Sequence, residues 1–140
     1  MAIKQTDMKK IVVTVAQAAD GTYWCHTEQD VYGGGLNGAG PTVKEAKDDL
    51  KLCLEDARAD YVENGGEPYQ VEFRYQYDLQ SFFEYFSFLN VTEIAKRAGI
   101  NPSLMRQYAR GIKTAGEKTY ARLAACMSNI TEELSAASFR

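Results

Sequence analysis

The sequence predicts an α+β protein in two parts: a small sheet crossed by one helix, then an all-α segment. Three observations carry this expectation. The stretches around residues 8–28 and 69–77 are rich in β-branched and aromatic residues and alternate with a period of two, as half-buried strands do. Between them, Thr42-Val43-Lys44-Glu45 has the form of a capping box and opens an apolar stripe at helical spacing. From Asp78 onward only helical spacing remains, punctuated by helix start and stop signals. The domains are therefore expected at residues 1–78 and 79–140.

Residues 8–17 (MKKIVVTVAQ) predict a first strand, and Asp20-Gly21 a hairpin turn. Thr22–Glu28 (TYWCHTE) is the second strand. Val31–Leu36, loosened by Gly33, Gly34 and Gly35, is the expected third. The glycine-rich run Gly33–Thr42 lacks the GxxxxGK pattern of a phosphate-binding loop, and a forced GxGxxG match has no βαβ unit around it. It reads as a structural loop. The helix that follows runs to about Tyr61, with Ala46, Leu50, Cys53 or Leu54, Ala57 and Tyr61 on its inner side. Asp48, Asp49, Glu55, Asp56 and Asp60 make its outer face acidic. Tyr69–Tyr77 then alternates cleanly, completing a β-β-β-α-β unit.

In the second half, Leu79–Leu89 places Phe82, Tyr85, Phe86 and Leu89 at helical intervals as core. Asn90–Gly111 (NVTEIAKRAGINPSLMRQYARG) has the spacing of a DNA-binding helix-turn-helix. Asn90 caps a first helix, and Ala95 leaves room for a close crossing. Gly99 supplies the positive φ that ends the first helix, and Ile100 turns inward. Asn101 caps the second helix and Pro102 takes its first position, where a missing N–H costs nothing. Thr114-Ala115-Gly116-Glu117 is a further capping box for a last helix with Tyr120, Leu123, Met127, Ile130 and Leu134 as its seam. Ser128-Asn129 marks a candidate break, and the length of the seam suggests dimer contact.

Charge separates the halves. Residues 1–78 hold 8 Lys or Arg against 14 Asp or Glu, and residues 79–140 hold 8 against 5. Within Lys96–Arg122, seven basic residues face only Glu117. An acidic half and a basic half point to two different partners. The basic cluster coincides with the helix-turn-helix, which points to double-stranded DNA. Ser103, Arg106 and Gln107 are the expected readers of base edges, with Pro102 making apolar contact beside the cap Asn101. Arg110, Lys113 and Lys118 are expected on phosphates. Lys96 and Arg97 fit either phosphate contact or solvated surface. The acidic helix face, Asp48, Asp49, Glu55, Asp56 and Asp60, would attract a basic protein.

Other chemistries find little support. Cys25, Cys53 and Cys126 form no CxxC pair, and the only histidine, His26, adjoins Cys25 on a strand, where neighbours point to opposite faces. No metal site, cofactor or catalytic constellation is expected, and so no enzyme. No stretch approaches the roughly 18 apolar residues of a membrane span. The N-terminal MAIKQTDMKK has no signal-peptide core, which places the expected location in the cytoplasm.

The segment GAGPTVKEAKDDLKLCLEDA (Gly38–Ala57) resembles the HicB-type antitoxin domain, a partial relative of the ribonuclease H sheet. INPSLMRQYARGIKT (Ile100–Thr114) resembles the helix-turn-helix of Xre- and Cro-like repressors. With YQYDLQSFFEYF before it, the combination is similar to HicB-family proteins of the Bacteroides type and spans nearly the whole chain. The resemblance implies an antitoxin whose sheet domain blocks a small basic ribonuclease of the HicA type. Its helix-turn-helix would bind the operator of its own operon as a dimer. Ala115-Gly116 departs from the usual repressor helix start, and no ribonuclease H active site is implied. HicB-like proteins also occur without a toxin, so a stand-alone regulator, dimerising or sensing a ligand through its first domain, is the alternative.

Overall fold

The computed structural model describes residues 8–140, so the expectation drawn from the N-terminal stretch lies, for residues 1–7, outside the described residues. The fold is α+β, a four-stranded mixed sheet and five helices among the described residues. In chain order these are β1 (Lys9–Gln17), β2 (Tyr23–Thr27), β3 (Asn37–Gly40), α1 (Val43–Glu63), β4 (Val71–Tyr77), α2 (Leu79–Tyr85), α3 (Val91–Ala98), α4 (Pro102–Ala109) and α5 (Glu117–Ser135). They form two compact units, divided between Tyr85 and Phe86. No helix among the described residues is long and apolar enough to cross a membrane.

The sheet order is β3-β2-β1-β4, with β1 antiparallel to β2 and parallel to β4. Asp20-Gly21 turns β1 into β2: Gly21 takes φ 90°, and the Asp20 carboxylate accepts the Thr22 N–H at 2.9 Å. Alternation sends Val13 and Val15 of β1 and Tyr23 and Cys25 of β2 to one face. There they meet Val43, Ala46 and Leu50 of α1 in the main core, with Phe73, Tyr75 and Tyr77 of β4 packed around it. Ile11, Val31 and Tyr32 form a neighbouring cluster with Tyr61 and Tyr69. The opposite face carries Trp24 and His26, and Trp24 is exposed.

The third strand is not where alternation suggested. Val31 and Gly34 form only an isolated bridge, while β3 lies in the stretch read as a loop. The reason is steric. A Cβ on Gly38 would lie 2.4 Å from the Ala46 carbonyl oxygen and 2.4 Å from the Leu50 nitrogen; one on Gly40 would lie 2.9 Å from the Ala46 nitrogen. The glycines are there so that β3 can lie directly against the α1 backbone. By contrast, Gly34 and Gly35 face open space.

The first unit also extends further than residues 1–78, because α2 packs with the sheet. Asp78 accepts the Ser81 N–H at 2.8 Å and the Gln17 N–H at 3.2 Å, tying the start of α2 to the end of β1. Glu84 accepts the Val43 N–H at 3.1 Å, adding to the Thr42 cap of α1. Phe83 rather than Phe82 is the buried phenylalanine of α2, and the helix stops at Tyr85 instead of running to Leu89.

Lys47 is the least expected core residue. It is 6% exposed on the inner side of α1 and makes no ion pair among the described residues. Its Nζ donates to Tyr77 Oη at 2.6 Å and stands 4.0, 5.0 and 3.4 Å from the ring centres of Tyr75, Tyr77 and Tyr85. The rings stabilise a cation that lacks a carboxylate. Burial nonetheless pulls the ammonium pKa from 10.5 down to about 8.

Two outcomes follow from this packing. Gly38→Ala should cost about 1–3 kcal/mol in chemical denaturation through overpacking against backbone, whereas Gly35→Ala should be near neutral. For Lys47, the unfolded chain holds a proton that the folded chain has released between about pH 8 and 10.5. Stability from this group therefore rises with pH across that window. Measured against a Lys47→Met variant, the wild type should gain on the order of 3 kcal/mol over the same range.

Candidate nucleic-acid interface

In the second unit, α3 starts at the Asn90 cap, whose side chain accepts the Glu93 N–H at 3.0 Å. It ends at Gly99, in the left-handed region with φ 72°. The Ile100 N–H then donates to the Ala95 carbonyl at 2.9 Å, which seats Ile100 inward. The Asn101 side chain accepts the Leu104 N–H at 3.1 Å and Pro102 opens α4. Ile94, Ala95, Ile100 and Met105 are buried with Leu123 and Cys126 of α5; Ala95 and Met105 are wholly inaccessible. Gly111, at φ 77°, follows the last turn of α4. All these elements match the spacing read from the sequence.

The start of α5 does not. Its N-cap is Gly116, with no side-chain cap, and residues 114–116 stay outside the helix. Thr114 lies two positions before the actual cap, so a box with Glu117 does not close on this helix. The helix is also continuous through Ser128-Asn129. Both residues lie on its exposed side, where polar residues cost little.

With Met105 inward, Ser103, Arg106 and Arg110 fall on the outward side of α4 at i, i+3 and i+7, and all three are exposed. Asn101 is exposed at the helix start, and Pro102 and Gln107 are half-buried. The Gln107 carbonyl also accepts the Ile112 N–H at 2.9 Å, closing the helix end. Lys113 lies exposed in the following loop and Lys118 in the first turn of α5. Among the described residues, no ion pair engages Arg106, Arg110, Lys113 or Lys118. Arg106 instead donates from Nη1 to Thr92 Oγ1 at 3.0 Å.

The other bases of the cluster are occupied. Arg97 pairs with Glu133 of α5 at 2.5 Å, which raises its pKa. Lys96 reaches Glu93 at 3.4 Å, and Arg122 donates to the Gly99 carbonyl at 3.2 Å. Glu133 lies beyond the sequence window in which Glu117 was the only acid. Its role becomes visible only once α5 folds back on α3. The site is therefore narrower than the charge cluster: an outward α4 face and two lysines that make no ion pair among the described residues.

In the first unit the acidic residues divide as well. Glu55, Asp56 and Asp60 are exposed, and Asp48 pairs with Lys44 at 2.8 Å. Asp49 is half-buried and accepts the Ala39 N–H at 2.9 Å, so its carboxylate holds β3 rather than facing outward. Cys25 is buried and burial raises its thiol to about 11, while His26 on the opposite face pairs with Glu28 at 3.1 Å.

Comparison with protein families, with curated proteins and with solved structures gave no match to this chain.

The cap geometry leads to a stability test. Asn101→Ala should lower the stability of the second unit by about 1 kcal/mol, and Asn101→Asp should retain most of it. Thermal unfolding followed by helix content reads both.

Proposed function

We propose that the chain is a sequence-specific DNA-binding repressor with a protein-binding domain, an antitoxin and autorepressor of the HicA/HicB type. One observation carries the DNA reading: a capped helix pair joined at Gly99 that exposes Ser103, Arg106 and Arg110, with the half-buried Gln107 beside them and no ion pair to either arginine among the described residues. In a helix-turn-helix docking, α4 enters the major groove, where Arg106 suits guanine and Gln107 adenine. Arg110, Lys113 and Lys118 suit phosphates, adding affinity that falls with salt. Pro102 offers apolar contact at the groove.

The chain would bind its own operator as a dimer, since repressors of this docking read two half-sites one helical turn apart. The partner reading rests on Glu55, Asp56 and Asp60, exposed together on α1, with Asp48 beside them. Such a face draws a small basic protein, here a ribonuclease of the HicA type, in agreement with the HicB resemblance. Asp49 contributes through β3 rather than by direct contact. No catalysis is assigned to either unit, and the cytoplasm is the proposed site of action.

A mobility-shift series on the full chain tests the DNA reading. With DNA selected by the wild type from a random pool, Arg106→Ala and Gln107→Ala should each weaken specific binding by about 5–150-fold. Equal binding by both variants would remove α4 as the reader. A short open reading frame for a basic protein beside this gene, whose product co-purifies with the full chain, is the result expected for the antitoxin arm. Its absence would leave a stand-alone regulator.

A further inference from the structure

We infer that Thr92 is a positioning residue for base recognition, holding the Arg106 guanidinium in the orientation that reads guanine. The inference rests on the reading of α4 as the recognition helix and adds a specificity determinant from α3. Thr92 occupies the first turn of α3, and its Oγ1 accepts a hydrogen bond from Arg106 Nη1 at 3.0 Å. Arg106 is exposed at mid-helix in α4, with no carboxylate partner among the described residues.

The nature of the partner matters. Arginine is long, and its freedom must be lost before a planar fork can meet a base edge. A carboxylate would hold the fork firmly, but it would neutralise the charge and compete with DNA for the same donors. A hydroxyl takes one of the five N–H donors and leaves both the charge and the remaining donors for the groove. Elsewhere in this unit Arg97 pairs with the Glu133 carboxylate, which offsets its charge. The oxygen that Arg106 meets is neutral, so its charge is kept.

Thr92 is also attached to a different helix from the one that carries the arginine. The separation of α3 and α4, fixed by Ala95, Gly99 and Ile100, is therefore transmitted to the guanidinium plane. A reader set in this way discriminates by geometry as well as by charge.

The test is selection of bound DNA from a random pool by the full-length wild type and by Thr92→Val, Thr92→Ser and Arg106→Ala, with the base preference read at every position. Thermal melting checks that each variant folds. The wild type should return a guanine in each half-site that Arg106→Ala abolishes. Thr92→Val, which keeps the shape and loses the hydroxyl, should reduce the preference at that same position by about tenfold and leave the others unchanged. Thr92→Ser should preserve it, and the salt dependence of binding should be the same in wild type and Thr92→Val, since no phosphate contact is removed. Full guanine preference in Thr92→Val, beside its loss in Arg106→Ala, would overturn the inference and leave the DNA reading standing. A wild type that selects no motif would overturn both.

Discussion

The first unit depends on the close approach of β3 to α1. Two glycines, Gly38 and Gly40, let a strand backbone rest on a helix backbone without intervening side chains. That contact sets how deep α1 sits over the sheet. At this depth Val43, Ala46 and Leu50 reach Val13, Val15, Tyr23 and Cys25 in one dry cluster. It also brings the Asp49 carboxylate to the Ala39 N–H, so the short edge strand is held by a hydrogen bond as well as by contact. One residue position away from the cluster, the same helix delivers Lys47 into the tyrosine rings of β4 and α2. Glu84 answers from α2 at the N-terminus of α1. The four parts are thus arranged around one backbone contact.

The second unit is built differently, from small residues and caps rather than from a sheet. Ala95 and the left-handed Gly99 fix the turn, and Ile100 and Met105 fill the space beneath it. Arg122 from α5 reaches the Gly99 carbonyl, so the turn is braced from a third helix. This bracing explains why seven basic residues that look alike in sequence have different roles. Arg97 and Arg122 belong to the scaffold and Lys96 stays near Glu93, whereas Arg106, Arg110, Lys113 and Lys118 remain available to an anion.

What could be read beforehand was whatever leaves a local signature. Strand alternation located β1, β2 and β4, and cap residues located α1, α3 and α4, because these signals act within a few residues of their source. β3 escaped because its defining property is an absent side chain, and its steric reason lies on α1, at Ala46 and Leu50 further down the chain. Lys47 escaped because a lysine at helical spacing reads as surface; the only hint was the crowding of Tyr75, Tyr77 and Tyr85. The assignment of α2 to the sheet hinges on Asp78 and Glu84, which reach Gln17 and Val43 across long stretches of chain. Arg97 and Asp49 are similar cases. A charge count shows that a residue is ionised but not whether another residue already holds it.

The two sides of α4 answer to separate demands. Asn101, Pro102 and Met105 start the helix and seat it, while the side chains of Ser103 and Arg110 are exposed and Arg110 closes the helix through its backbone alone among the hydrogen bonds of the described residues. In the proposed DNA reader, outward residues could therefore be exchanged and new targets acquired without repeating the search for a stable domain. The hydroxyl at Thr92 limits that freedom at a single place, since an altered residue 106 would meet an oxygen suited to a donor. Diversification of that proposed reader would then proceed fastest at Ser103 and Arg110, and residues 92 and 106 would change as a pair.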